Sequence, residues 1–277
     1  MRLGYLFLGL MTLGLGACKR SGDAASGGAA TGGAPAAGAA LTVAGSTSVQ
    51  PFAEKWAEEY SKKHPGAQIN VQGGGSTAGV KAAQTGAAQI GTVSRDLKPD
   101  ESGLTAVTVA RDGIAVIVNP ASKLADLTAD QVKGVFGGTI KSWKELGGED
   151  KPITVITREE GSGTRGAFEE LVMKKDKIAT TALVQDSTGA VREMVHGDAN
   201  AIGYISLGQV NDQIKALKLA GVEATEANVV AGKYPLVRPF QFVFKTAPAG
   251  AVKDFLDFVL SADGQAMVRK EGLIAAK

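Results

Sequence analysis

The chain has 277 residues, a formal net charge of +2, one cysteine and two histidines. This length suits one or two domains with sizeable cores. The small net charge, scattered basic residues and few aromatic residues argue against nucleic-acid binding. The scarcity of cysteine and histidine argues against a disulfide framework or a zinc site. We therefore expect no metal and no cofactor.

The N-terminus has the pattern of a secretory signal over residues 1–17. Met1-Arg2 is followed by an apolar run from Leu3 to Leu15, which is short for a membrane-spanning helix of about 20 residues. The sequence Leu15-Gly16-Ala17-Cys18 resembles the lipobox of bacterial lipoproteins, which implies cleavage before Cys18 and lipidation of its thiol. We expect an extracytoplasmic protein that is lipid-anchored to a bacterial membrane; an uncleaved membrane anchor is the alternative.

Residues 18–40 are rich in Ala, Gly, Ser and Thr, which cannot bury enough apolar surface to fold. They predict a flexible tether, with the folded body beginning at Leu41. From there apolar strand-like runs alternate with amphipathic helices. The first block predicts strands at 41–44, 69–72 and 88–93 and helices at 51–63 and 76–85. This β-α-β-α-β order indicates an α/β fold with a largely parallel sheet.

A second alternating block follows from residue 107. It predicts strands at 107–119, 153–156, 201–205 and 235–244 and helices at 128–136, 166–173, 188–195, 249–260 and 262–270. Within this block, the segment Thr157–Arg165 (TREEGSGTR) is the most informative. It places hydroxyls, glycines and an arginine at a turn from strand to helix. Unpaired amides at a helix start, hydroxyl donors and the Arg158 guanidinium are the chemistry of an oxyanion site.

Three more hydroxyl-rich turns follow predicted strands. They are Gly45-Ser46-Thr47-Ser48, Gly73-Gly74-Gly75-Ser76-Thr77 and Ser94-Arg95-Asp96. In open α/β sheets ligands bind at the carboxyl ends of strands, beside helix starts. All four turns therefore fall where a ligand is expected, although each could be ordinary helix capping.

Two other interpretations of these turns are weaker. The spacing Gly73-x-Gly75-x-x-Ala78, with Asp96 downstream, matches a dinucleotide fingerprint, but three adjacent glycines make chance matches easy and a secreted protein does not meet NAD. Ser76 as a nucleophile would need a base, and the surrounding residues lack the final glycine of a nucleophile elbow. His64 and His196 fit helix ends better than catalysis.

The four turns together resemble the ligand loops of bacterial phosphate-binding proteins, the solute receptors of phosphate ABC transporters. The matching segments are GSTS at 45–48, QGGGSTAGVK at 72–81, IGTVSR at 90–95 and RxxGSGTR at 158–165. The resemblance implies a type II periplasmic binding protein fold, in which two α/β lobes are joined by two hinge strands and the anion binds between them. It implies one lobe at 41–112 plus 237–277 and a second at 113–236.

The resemblance also implies a set of site residues. The expected phosphate contacts are Ser46, Thr47, Ser48, Ser76, Thr77, Ser94, Arg95, Arg158, Ser162, Gly163 and Thr164. Glu160 matches an acidic residue that holds the arginine in related proteins. Some relatives carry an aspartate where this chain has Ser94, and that aspartate accepts the proton of bound phosphate. We expect Asp96 or a neighbouring carboxylate to take over as acceptor, and Arg95 to be a second cationic contact.

The sequence thus predicts a monomeric receptor, not an enzyme, that binds inorganic phosphate and docks on the permease subunits of an ABC transporter. Three alternatives stay open. A receptor for sulfate or molybdate would use the same donors. A secreted phosphohydrolase would need a metal cluster or an activated nucleophile. A surface or adhesion protein would bind no anion.

Overall fold

The computed structural model describes residues 40–276, so the predicted signal peptide, the lipidation site at Cys18 and the tether up to residue 39 lie outside the described residues. The strands are β1 (Leu41–Gly45), β2 (Ile69–Gln72), β3 (Ile90–Val93), β4 (Thr105–Val118), β5 (Asp126–Leu127), β6 (Thr154–Arg158), β7 (Leu183–Gln185), β8 (Ala201–Ser206), β9 (Lys215–Ala216), β10 (Lys218–Leu219), β11 (Val237–Phe244) and β12 (Ile274–Ala275).

The α-helices are α1 (Gln50–Lys63), α2 (Ser76–Thr85), α3 (Ala129–Gly137), α4 (Gly163–Phe168), α5 (Thr188–Gly197), α6 (Glu226–Val230), α7 (Gly250–Leu260) and α8 (Ala262–Lys270). Short 3₁₀ turns lie at Pro99–Glu101, Trp143–Leu146 and Leu207–Gln209, and α4 continues as a π-helical turn at Glu169–Met173. Within residues 40–276, no helix is both long enough and apolar enough to cross a membrane.

The main strands form the order β2-β1-β3-β11-β4-β8-β6-β7. The predicted parallel pairing is found at both ends of this order, where β1 runs parallel to β2 and β3, and β6 runs parallel to β7 and β8. The middle is antiparallel, because β11 and β4 pair in opposite directions. Strand β4 pairs with β11 as far as Gly113 and with β8 from Ile114 onward, so one strand serves both halves of the molecule.

The hydrophobic cores lie on either side of this change of partner. One pair of clusters draws its buried residues from 41–110 and 240–273, and includes Trp56 packed edge-on against Phe242 at 5.9 Å. The other pair draws on 114–236, and includes Phe168 stacked on Tyr204 at 4.0 Å between ring centroids. The molecule is therefore a two-lobed α/β structure, with β4 and β11 running between the lobes.

The helices follow from the sequence pattern. In α1, Phe52, Trp56 and Tyr60 recur about once per turn and are all buried, and Pro51 occupies the first turn, where it loses no hydrogen bond. The predicted helix at 166–173 begins three residues earlier, because Ser162 caps it. The short elements β5, β7, β9, β10, β12 and α6 were not predicted, since two to five residues carry no readable period.

Close backbone packing fixes the start of α2 against the sheet. A Cβ atom on Gly79 would lie 2.6 Å from the Thr92 carbonyl oxygen and 2.9 Å from the Gly45 Cα atom. These neighbours are backbone atoms of the strand ends that carry the predicted ligand loops, so they cannot move aside without shifting those loops. Glycine at 79 therefore sets how closely α2 approaches β1 and β3.

We predict that Gly79→Ala lowers the free energy of unfolding by roughly 1–3 kcal/mol, because the added methyl group overpacks this contact. Gly197→Ala is the matched control, since Gly197 also lies in a helix and a Cβ there meets nothing within 4 Å. It should be neutral or stabilising by up to about 1 kcal/mol. Chemical denaturation measures both, and equal stability of the two variants would contradict the packing argument.

Candidate functional site

The hydroxyl groups of the first three predicted loops meet at one point. Ser46 follows β1, Ser76 begins α2 and Ser94 follows β3. Ser46 Oγ donates to Ser94 Oγ at 2.9 Å, and the Ser76 and Ser94 Oγ atoms are 3.3 Å apart. All three side chains are buried, at 2 % exposure or less. Because β1 and β3 are parallel neighbours, their carboxyl ends place these hydroxyls at the same edge of the sheet.

The fourth predicted loop faces this cluster from the other lobe. Ser48 Oγ and Thr164 Oγ1 are 2.7 Å apart, and both side chains are buried. Gly163 lies directly against two serines of the cluster: a Cβ atom there would overlap the Ser76 hydroxyl and lie 2.5 Å from Ser94 Oγ. The first turn of α4 therefore touches hydroxyls from the opposite lobe, and only glycine fits at position 163.

The start of α4 offers free hydrogen-bond donors. Ser162 Oγ accepts from the Arg165 amide at 3.2 Å and so acts as the helix cap. The amide N–H groups of Gly163 and Thr164 have no hydrogen-bond partner among residues 40–276. Both residues are buried. Unpaired buried amides at the positive end of a helix favour an anion as partner.

Arg158 supplies the positive charge of the cluster. It ends β6, is 1 % exposed, and its Nη1 atom donates to Thr188 Oγ1 at 3.2 Å. Its Nε and Nη2 atoms donate to the two carboxylate oxygens of Glu159, each at 2.9 Å. Nη2 also donates to the Asp186 carbonyl oxygen at 3.1 Å. This fork holds the guanidinium rigidly, with the Nη1 side toward the hydroxyls.

The carboxylate that holds Arg158 differs from the predicted one. We expected Glu160 in this role, but Glu159 makes the bidentate pair, and Glu160 makes no hydrogen bond or ion pair with Arg158 among the described contacts. The reason is local geometry. Glu159 directly follows β6, and its amide N–H donates to the Gln185 carbonyl oxygen at 3.1 Å, the same oxygen that accepts from Arg158 Nε at 3.2 Å. Glu160 lies instead within electrostatic range of Arg165.

Arg95 also differs from its predicted role as a second cationic contact. Its Nη1 and Nη2 atoms each donate to a Glu101 carboxylate oxygen at 2.7 Å, and both side chains are buried. Burial alone would raise the pKa of Glu101, but the hydrogen bonds from Arg95 and the Lys98 amide outweigh it and lower that pKa. Nη2 lies 3.4 Å from Thr77 Oγ1, so this ion pair braces the start of α2.

Asp96 lies outside the cluster, contrary to its predicted part as a proton acceptor. Its side chain is exposed and lines a surface cavity of about 420 Å³ together with Arg111 and Pro239. Arg95 turns inward to Glu101 and donates to the Asp96 carbonyl oxygen at 2.8 Å, which leaves the Asp96 carboxylate on the outer side. An acceptor for a ligand proton at this site would have to come from elsewhere.

Thr188 completes the cluster and was not predicted. It begins α5, is 1 % exposed, and lies 3.1 Å from Ser48 Oγ and 3.5 Å from Thr47 Oγ1. The sequence did contain a signal, because Asp186-Ser187-Thr188-Gly189 is a fifth hydroxyl-rich turn between a strand and a helix. The preceding strand β7 has only three residues, and this hid the pattern.

The cluster consists of hydrogen-bond donors and one cation. It combines hydroxyl and amide donors with one arginine whose charge is partly balanced. The two histidines of the chain lie at helix ends: His64 stacks on Tyr60 at 4.2 Å, and His196 Nδ1 lies 2.8 Å from the Gln213 carbonyl oxygen. Over residues 40–276, no group of three or more His, Cys, Asp or Glu side chains is placed to hold a metal ion.

Comparison with known proteins shows the class to which the chain belongs. Residues 28–263 match the family model of the PBP superfamily domain, so the chain belongs to the PBP superfamily of two-lobed binding proteins. Within it the chain is a member of the PstS-type phosphate-binding protein family. It is 35% identical over 242 residues to phosphate-binding protein PstS of Bacillus subtilis (strain 168), covering 85% of this chain and 80% of that relative.

Solved structures agree with this assignment. A putative phosphate ABC transporter substrate-binding protein from Clostridium perfringens, solved with bound phosphate, is 44% identical with a TM-score of 0.84, covering 86% of this chain and 100% of that one. An ABC-type phosphate transport receptor from Vibrio cholerae is 36% identical with a TM-score of 0.70, covering 84% of this chain and 99% of that one.

The contrast between Glu159 and Glu160 can be tested by stability. We predict that Glu159→Gln lowers the free energy of unfolding by roughly 1–3 kcal/mol, because it weakens the charge-assisted pair of a buried guanidinium. The same change at Glu160 should stay within about 0.5 kcal/mol of the wild type. Urea denaturation of the two variants decides the matter, and a larger loss for Glu160→Gln would restore the original prediction.

Proposed function

We propose that this protein is an extracytoplasmic receptor that binds inorganic phosphate between its two lobes and delivers it to the permease of an ABC transporter. The single observation that carries the proposal is the convergence of buried hydroxyls and unpaired amides from both lobes around Arg158. Family membership supports phosphate as the ligand, since the Clostridium perfringens relative holds phosphate in its structure.

The proposed contacts follow from what each group can donate. The hydroxyl donors from the first lobe are Ser46, Thr47, Ser48, Ser76 and Ser94, and those from the second are Ser162, Thr164 and Thr188. The amides of Gly163 and Thr164 add fixed dipoles, and Arg158 adds charge. Arg95 pairs with Glu101 and donates to Thr77 Oγ1, so these residues stabilise the loops without contacting the ligand.

Binding would replace hydrogen bonds between hydroxyls with hydrogen bonds to the anion. Ser48 and Thr164, now 2.7 Å apart, would each turn toward a phosphate oxygen. Hydrogen bonds to a charged acceptor are stronger than those between neutral groups, so this exchange is favourable. Because the donors come from both lobes, the closed arrangement gains affinity that the open one lacks, and phosphate shifts the population toward it.

The proposed lobes are residues 41–112 with 237–277, and residues 113–236. The division of the buried cores on either side of these boundaries supports them. We further propose that Cys18 carries the lipid, that residues 18–40 tether the receptor to the membrane, and that the receptor docks on the permease as a monomer.

The decisive variant is Arg158→Met, measured by isothermal titration of residues 40–277 with phosphate after bound phosphate has been stripped by unfolding and refolding. Loss of a buried charged contact costs roughly 2–5 kcal/mol, so affinity should fall by roughly thirtyfold to several thousandfold. The control is Arg269→Met, which removes an exposed arginine on α8 and should leave affinity unchanged. Wild-type affinity in Arg158→Met would overturn the proposed site.

Ser94 bears on the selectivity of the site for phosphate over other oxyanions. A hydroxyl can donate to sulfate as readily as to phosphate, whereas a carboxylate would repel an anion that has no proton to give. The same titration with sulfate and molybdate as competitors separates these ligands. Phosphate binding that neither competitor displaces supports the proposal, and equal binding of sulfate would assign the site to oxyanions in general.

A further inference from the structure

A buried ion pair lies where the two strands cross between the lobes. Asp112 on β4 and Arg238 on β11 are register partners, and they are 0 % and 2 % exposed. Arg238 Nε and Nη2 donate to Asp112 Oδ2 at 3.0 and 2.8 Å. Neither residue belongs to the loops that identify the family by sequence. Their separation of 126 positions hides the pair until the strand register is known.

The pair reaches into both lobes. On one side, Arg238 Nη1 donates to the Ser94 carbonyl oxygen at 3.1 Å, so it holds the backbone of a loop whose hydroxyl lies in the cluster. On the other side, Ser206 Oγ donates to Asp112 Oδ1 at 2.9 Å. A single connected network therefore runs from Ser94 through the crossing strands to the end of β8.

Stability alone does not account for this network. Burying two charges is costly, and well-packed apolar residues often serve a fold as well or better. Apolar residues, however, cannot donate hydrogen bonds to a carboxylate and to a carbonyl oxygen. The planar fork of arginine does both, with Asp112 fixing its orientation.

We infer that Arg238, oriented by Asp112, is a positioning residue that fixes Ser94 for ligand binding and ties the ligand site to the crossing strands. The inference rests on the proposed phosphate-binding function. Among residues 40–276, Arg238 makes no hydrogen bond to a hydroxyl of the cluster, so it acts through the Ser94 carbonyl oxygen. Breaking the pair should weaken phosphate binding although every loop residue is intact.

The charges around the pair give a readout that a structural role would not. Arg238 lies within electrostatic range of Arg158 and Tyr204, and Asp112 within range of Tyr234. Burial is the largest influence on the Asp112 carboxyl and raises its pKa, although Arg238 and Ser206 oppose it. If Arg238 is removed, Asp112 keeps the hydrogen bond from Ser206 but loses its ion-pair partner. Its negative charge is then uncompensated at high pH and is lost when the carboxyl is protonated.

The experiment titrates phosphate into four variants at about pH 6 and about pH 8. Arg238→Met should weaken binding by about tenfold to a hundredfold at the higher pH, and the deficit relative to wild type at the same pH should shrink at the lower pH. Asp112→Asn/Arg238→Met should keep a deficit that does not depend on pH. Arg238→Lys should fall between. Lys133→Met, which breaks the half-exposed pair with Asp176, should match wild type.

The double variant decides the inference if Arg238→Met does not fold, because it leaves no unpaired buried charge. Affinity of the double variant within about twofold of wild type would overturn the positioning role. This result differs from a failure of the proposed function, in which the wild-type chain itself would bind no phosphate.

Discussion

A buried guanidinium loses its hydration and needs hydrogen bonds and a negative charge in its place. This requirement determines how the site is arranged. Three buried arginines surround the hydroxyl cluster, and each is gripped by a carboxylate: Arg158 by Glu159, Arg95 by Glu101 and Arg238 by Asp112. The charges nearly cancel within each pair. A bound anion would therefore contact mainly neutral donors. The ion pairs hold the loops that carry these donors. Fixed dipoles of this kind need little rearrangement when the ligand arrives.

The fold delivers those donors from two directions. Parallel strands in each lobe end at the hydroxyl cluster, and a helix begins after most of them, so hydroxyls and amides accumulate there without long loops. Close contacts between glycines and their neighbours set the spacing: Gly79 brings α2 onto the sheet, and Gly163 brings α4 onto the serines of the other lobe. The crossing strands β4 and β11 connect the two lobes beside this site.

The sequence was a good guide to the long elements and to the loops that follow them. The helices α1, α2 and α8 and the strand β2 lie within a residue of their predicted bounds, because their periodicity or flanking signals are strong. Sequence patterns gave the wrong residue where three-dimensional geometry decides between adjacent positions. Glu159 and Glu160 are adjacent acids, and only the turn after β6 determines which one reaches Arg158. Arg95 and Asp96 likewise split to opposite sides of one loop. Asp112 and Arg238 required the antiparallel register, and Thr188 followed a strand too short to read.

The central claim is that the free amides at the start of α4 and the facing hydroxyls form one phosphate site, and NMR tests it most directly. In a ¹⁵N-labelled sample of residues 40–277, phosphate should move the amide resonances of Gly163 and Thr164 downfield, as expected for new hydrogen bonds to an anion. The shifts should saturate together at one phosphate per protein. Saturable binding that leaves these amides unmoved and perturbs another part of the molecule would contradict the account.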